Sequence, residues 1–306
     1  MIKKKTTLVL GAGSSAPYGF PLGSELRLRI LDASSDILHA EGQISEVDFE
    51  NFKQAFRNSR LYSIDAFLAA RPEMVEIGKM TIAGILLSFE RDTLSKLSAN
   101  EQDWYDYLWN RLASGRNWDD LSFDNLAVVT FNYDRSFEHF LLLAMMGTYD
   151  KSIEQAAEKL EQLQVVHVYG DIGSPLPQSP GYQIYGKTVT YRRVRDGAAR
   201  LKVIPEARED EPSLLKAQRL LLEAEAVCFL GFGFDRTNMQ RLDSKRTCYP
   251  FHEMHKKSLT ASCLGLTQAE AEEAAGLCHL HTAGHWRSRF IDGNCLETLR
   301  RTLILE

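Results

Sequence analysis

Paired cysteines are missing from this chain. Its five cysteines, Cys228, Cys248, Cys263, Cys278 and Cys295, are odd in number, and none lies within four residues of another. That spacing argues against a disulfide framework and against a zinc ribbon, whose knuckles need closely spaced cysteine pairs. Long apolar runs are missing too: none approaches the roughly 20 residues of a membrane helix. The opening Met1-Ile2-Lys3-Lys4-Lys5-Thr6-Thr7 is basic, but only Leu8 to Leu10 precede a glycine. That is too short for the apolar core of a signal peptide, and the expected location is cytoplasmic, with no membrane partner. Nor is positive charge in excess: a net charge of −5 and a pI near 6.0 give no indication of nucleic acid as a partner. What is present is ordinary for a globular protein. The 306 residues are 44% hydrophobic and 25% charged, enough for one large domain or a core domain carrying an insertion.

Short runs rich in Val, Leu and Phe at residues 7–10, 126–131, 165–169, 226–231 and 259–264 read as strands buried on both faces. Helical spacing fills the intervals at 24–38, 135–146, 152–163, 213–223 and 268–275. The alternation predicts an α/β fold, a doubly wound, mostly parallel sheet with helices on both faces. Its strand order is not legible. Residues 47–112 show only helical patterns, including Phe49, Phe52 and Phe56, and read as a helical subdomain inserted into a core formed by 1–46 and 113–306. Residues 173–206 open with Pro175, Pro177 and Pro180, then alternate, and read as a loop and β-hairpin within that core. Lys187, Arg192, Arg193, Arg195, Arg200 and Lys202 fall there, and a solvated face explains them more simply than a phosphate contact.

The first strand runs into Gly11-Ala12-Gly13-Ser14-Ser15-Ala16. The first glycine permits a tight turn, the second lets the backbone approach a pyrophosphate, and Ala16 fits where a third small residue packs. Unpaired N–H groups at such a turn attract phosphate oxygens. Pro17, Gly19 and Pro21 prolong the turn to about Leu22. No acidic residue stands at the end of a second strand to hold a ribose, since Asp32 and Asp36 lie in or after a helix. Hydride transfer therefore fits poorly.

Three more strand ends carry candidate residues. Thr130-Phe131-Asn132-Tyr133-Asp134 closes the second strand, where ligands of open α/β sheets gather. An Asn amide can orient water or a ribose hydroxyl, and Asp134 can support it or simply cap the following helix. His167 and Tyr169 alternate along the third strand before Gly170, which places them on one side, with His167 a candidate general base. The fourth strand ends in Gly231-Phe232-Gly233-Phe234, with Asn238 shortly after, and its glycines admit a ligand close to the backbone, plausibly the adenosine side.

These pieces, in this order, resemble the sirtuin-like family. The resemblance rests on Gly11-Ala12-Gly13-Ser14 with Gly19 and Pro21, on Thr130-x-Asn132-x-Asp134, on the His/Gly strand end at 167–170, and on Gly231-Phe232-Gly233-Phe234, and spans residues 6 to 238. The helical block and Leu264-Gly265-Leu266-Thr267 are similar to prokaryotic members rather than to the deacetylating ones, whose four-cysteine zinc module this chain lacks. The resemblance implies binding of NAD, as substrate or ligand, with Asn132 at the nicotinamide ribose and Asp134 supporting it. It also implies an NAD hydrolase of the bacterial type that depletes NAD during phage infection, activated by a protein partner or by self-assembly.

One departure from the family stands out: the catalytic His there directly precedes the glycine, whereas here Tyr169 does. Three readings follow: His167 takes over the role, Tyr169 orients water, or the site binds NAD or ADP-ribose without cutting it. The remaining histidines allow a metal idea built on Cys278-His279-Leu280-His281 with His285, His252 and His255. Without a paired carboxylate or a second cysteine it is disfavoured, and no metal is expected.

Overall fold

The computed structural model describes residues 2–35, 44–92, 97, 104–203, 211–248, 257–278 and 289–306. Its centre is a six-stranded, all-parallel sheet: β1 (Thr6–Leu10), β2 (Leu126–Thr130), β3 (Gln164–His167), β4 (Ala226–Leu230), β5 (Ser258–Ser262) and β6 (Phe290–Ile291). β1, β2 and β4 are buried along their whole length, as continuous apolar runs require when helices cover both faces. The strand order is β3-β2-β1-β4-β5-β6. The winding therefore reverses at β1, between β1 and β4, and such a reversal opens a crevice beyond the carboxyl ends of the strands. β1 is in register with both neighbours, so Leu10 stands opposite Thr130 on one side and Leu230 on the other.

β6, only two residues long, is too short to leave a pattern and has no counterpart in the sequence reading. Among the described residues of 173–206 the expected β-hairpin is absent. One isolated bridge joins Ser174 to Tyr182, and the stretch that alternates becomes the helix Tyr191–Ala198. Thr190 decides this, because its side chain accepts from the Arg193 N–H and starts a helix that buries Tyr191, Val194 and Ala198 on one face.

From residue 46 to 113 the described residues form the helices Glu46–Ser59, Ile64–Ala70, Val75–Asp92 and Trp104–Ala113 with a short 3₁₀ turn, and no strand. Phe49, Phe52 and Phe56 are buried as their spacing predicts, and they belong to the same apolar cluster as the sheet. The block also grips the first loop directly. Trp104 Nε1 donates to the Ser14 carbonyl at 2.8 Å, and the Tyr105 ring stacks on Tyr18 at 3.8 Å.

Candidate functional site

Beyond β1 and β4 the two glycine loops cross in backbone contact. Gly11 N–H donates to Leu230 O at 3.1 Å and Gly13 N–H to Gly231 O at 2.9 Å. A Cβ on Gly11 would lie 2.6 Å from Gly231 O, and one on Gly13 2.8 Å from Gly231 Cα. Gly231 has φ +58°, and its Cβ would meet Ser14 N at 2.0 Å. Close approach is thus needed, but between the two loops as well as toward any ligand. Ala12–Ser15 form a single helical turn, Ala16–Tyr18 a 3₁₀ turn ended by Gly19 at φ +89°, and the helix Gly23–Asp32 starts after Leu22. Pro21 is buried just before that start. The prolonged turn is real, built from two short helical pieces.

Where the loops cross lies a cleft of about 490 Å³, walled by Ala12, Gly13, Gly231, Phe232, Gly233 and the exposed Leu264. Among the described residues that line it, none is charged. Asn132 does not line this cleft; it fixes the glycine loop from behind, its Nδ2 donating to Gly11 O and to Ser15 Oγ, both at 3.0 Å, while its N–H donates to Thr130 Oγ1 at 3.0 Å. Asp134 is buried, and its Oδ1 accepts from Ser136 N–H at 3.1 Å and from Ser136 Oγ at 2.5 Å. Ser136 Oγ in turn meets Tyr105 Oη at 2.9 Å. Asp134 therefore serves the start of the helix Ser136–Tyr149, and burial raises its carboxyl above the ordinary value against the opposing Ser136 hydrogen bonds.

His167 and Tyr169 do not share a face. β3 ends at His167, and the chain turns through Gly170 at φ +77°. His167 Nδ1 donates to Asn132 O at 2.9 Å, and Nε2 pairs with Glu138 Oε1 at 2.6 Å. Burial by itself lowers this imidazole, but the charge and hydrogen bond of Glu138, with Asp171 further off, outweigh it and push the ring up to about 9. An imidazole donating from both nitrogens is an imidazolium, which has no lone pair with which to take a proton. It lines a second cleft, about 380 Å³, beside Glu138 and the Asp171–Arg200 ion pair.

Tyr169 turns the other way. Its hydroxyl donates to Asn238 Oδ1 at 2.6 Å and accepts from Arg241 at 3.3 Å. Its ring meets Phe131 edge-on at 5.6 Å, and Phe131 meets Phe232, a wall of the first cleft, at 5.0 Å. Burial raises the phenol, with Arg241 opposing. The structure thus brings Tyr169, Asn238, Phe232, Gly231 and the glycine loop to one side, and places His167 in a different cleft.

Of the six basic residues of 187–202, Lys187, Arg192 and Arg195 are exposed, the last two beside Asp196, and the other three are fasteners. Arg193 donates to the carbonyls of Ile184, Lys187 and Thr188 and to the Gln183 amide oxygen, and Arg200 grips Asp171 in two hydrogen bonds of 2.8 and 2.9 Å. Lys202 pairs with Glu211. His252, His255, His279, His281 and His285 lie outside the described residues, and among the described residues no three His, Cys, Asp or Glu side chains form a group able to hold a metal ion.

Asp65, Glu138 and Arg241 are absent from the sequence reading. Glu138 leaves a trace there, the one acidic residue, next to His139, in the largely apolar run Phe137–Ala144 of its helix, whereas Asp65 and Arg241 sit in short helices whose partners are set only by folding. No protein-family model matches the chain, and no curated protein matches it.

Proposed function

We propose that this chain binds NAD across the β1/β4 crevice and hydrolyses the nicotinamide–ribose bond to give nicotinamide and ADP-ribose. The observation that carries the reading is the uncharged cleft of about 490 Å³ where the two glycine loops cross, with an aromatic cluster leading from it to Tyr169. Walls free of carboxylates set no like charge against a pyrophosphate, and the switch point is where open α/β sheets hold nucleotides. NAD already carries a cationic leaving group, so the protein's task is to orient the ribose, position water and accept one proton.

In this reading Asn132 acts twice, fixing the glycine loop with its amide and presenting its remaining capacity toward the ribose. The Asn132→Ala chain is expected to stay folded, bind NAD more weakly and lose nicotinamide release by about 100-fold or more, read by chromatography. Release at the parental rate would remove Asn132 from the scheme. Activation by a protein partner or by self-assembly belongs to the same proposal.

A second reading, an NAD or ADP-ribose sensor that does not cut, draws on the strand end: both His167 ring nitrogens are engaged, by Asn132 O and Glu138 Oε1, and the residue before Gly170 is Tyr169, held by Asn238 and Arg241. Calorimetric binding of NAD without nicotinamide release at high protein concentration would select it.

A further inference from the structure

Hydrolysis at the nicotinamide ribose releases a proton, and neither ring at the end of β3 is suited to accept it. His167 donates from both nitrogens, and Tyr169 is a phenol engaged with Asn238 and Arg241. A carboxylate stands in the same neighbourhood, brought there by the helical block. Asp65 lies in the first turn of the helix Ile64–Ala70, where Ser63 Oγ accepts from its N–H at 3.1 Å and fixes the turn. Its Oδ1 accepts from Tyr133 Oη at 2.9 Å. Tyr133 directly follows Asn132, and its carbonyl accepts from Ile172 N–H at 3.2 Å, which ties the ends of β2 and β3 together.

The charged and titratable groups facing Asp65 come from several elements. They are Tyr133 after β2, Tyr169 after β3, and Asp235 and Arg241 at the two ends of the helix Arg236–Arg241. Lys202 approaches through its carbonyl, which Tyr133 reaches at 3.5 Å, while its ammonium pairs with Glu211. Burial raises the Asp65 carboxyl; the Tyr133 hydrogen bond and Arg241 oppose this, and Asp235 adds to it. A partly buried carboxylate with one side-chain hydrogen bond, beside the aromatic end of the nucleotide cleft, has the chemistry of a proton acceptor.

We propose that Asp65 is the general base of this site, and the proposal rests on the hydrolase reading above. The water oxygen bonds to C1′ of the nicotinamide ribose while the C1′–N bond breaks. The electron pair of that bond stays on the pyridinium nitrogen, which leaves as neutral nicotinamide. One water proton passes to the Asp65 carboxylate and the other remains on the new hydroxyl of ADP-ribose. A base raised above the ordinary carboxylate value accepts a proton more readily, and release falls on acidification as that carboxyl protonates.

The experiment measures nicotinamide release from NAD against pH, with NAD affinity by calorimetry, for the parental chain, Asp65→Asn and Tyr133→Phe. Asp65→Asn is expected to bind NAD with little change, to lose release by about 100- to 10,000-fold, and to lose the acid limb of the profile. Tyr133→Phe removes a hydrogen bond that favours the ionised carboxyl, so its acid limb moves to higher pH. A merely structural Asp65 would not produce that movement. If Asp65→Asn releases nicotinamide at the parental rate, the inference is overturned and the hydrolase reading stands. If the parental chain binds NAD and never releases nicotinamide, the hydrolase reading fails and this inference with it. Should Asp65→Asn not fold, Tyr133→Phe decides, and an unmoved acid limb overturns the assignment.

Discussion

Replacing Glu138 by Gln tests the electrostatics around β3 most directly. His167 and Glu138 are 10% and 11% exposed in their side chains, so solvent screens the pair little. The folded imidazole stands at about 9 against an ordinary 6.5. At about 1.4 kcal/mol per unit, that difference corresponds to about 3 kcal/mol of stability. Because the folded value is the higher one, this contribution is complete below about pH 6.5 and is lost as pH rises through about 9. Urea unfolding at constant ionic strength, repeated from pH 6 to 10, should show the parental chain losing about 3 kcal/mol across that window. In Glu138→Gln the opposing carboxylate is gone, burial lowers the imidazole, and the downward slope between pH 6.5 and 9 should vanish. The same slope in both chains would refute the assignment. Imidazole resonances of His167 characteristic of the cation at pH 7.5 would confirm it independently, and would leave His167 without a proton-accepting role.

Three further expectations follow from close packing and buried pairing. Gly231→Ala places a Cβ 2.0 Å from Ser14 N at φ +58° and should cost more than about 3 kcal/mol in thermal unfolding, with loss of NAD binding. Gly233→Ala, whose Cβ has no atom within 4 Å, should change stability by less than about 0.5 kcal/mol. Glu90→Gln breaks a fully buried bidentate pair with Arg135, at 2.6 and 2.9 Å, which fastens the Gly173 and Gln183 carbonyls, and should cost about 3–5 kcal/mol by urea denaturation.

Local chemistry made much of the scaffold legible from sequence. Continuous apolar runs announce strands buried on both faces, so five of the six strands and the parallel α/β class could be read along the chain. Glycines 11, 13 and 231 mark positions of close backbone approach, read along the chain as room for a ligand and filled in the fold by one another. Phe49, Phe52 and Phe56 declare a helix face by spacing alone. The strand order, by contrast, depends on which runs pair across more than a hundred residues, and nothing in their composition encodes that choice. The stretch 189–194 alternates like a strand, yet a single Thr190 cap and the burial of Tyr191 and Val194 make it helical.

Side-chain direction at a strand end was equally hidden. Alternation puts His167 and Tyr169 together only while the strand continues, and it stops at His167. Glu138 then draws the imidazole into an ion pair on one side, while Asn238 and Arg241 hold the phenol on the other. Asp65 arrives beside them from a helix sixty-eight residues before Tyr133, a meeting set by packing of the helical block on the sheet. The sequence by itself determined the class of fold and the need for close backbone approach at the two glycine loops, because both follow from backbone sterics and apolar patterning within a few residues; that the loops meet each other came with the fold. Only the tertiary structure decided which ionisable groups face one another, because their charge states depend on burial and on partners far away in the chain.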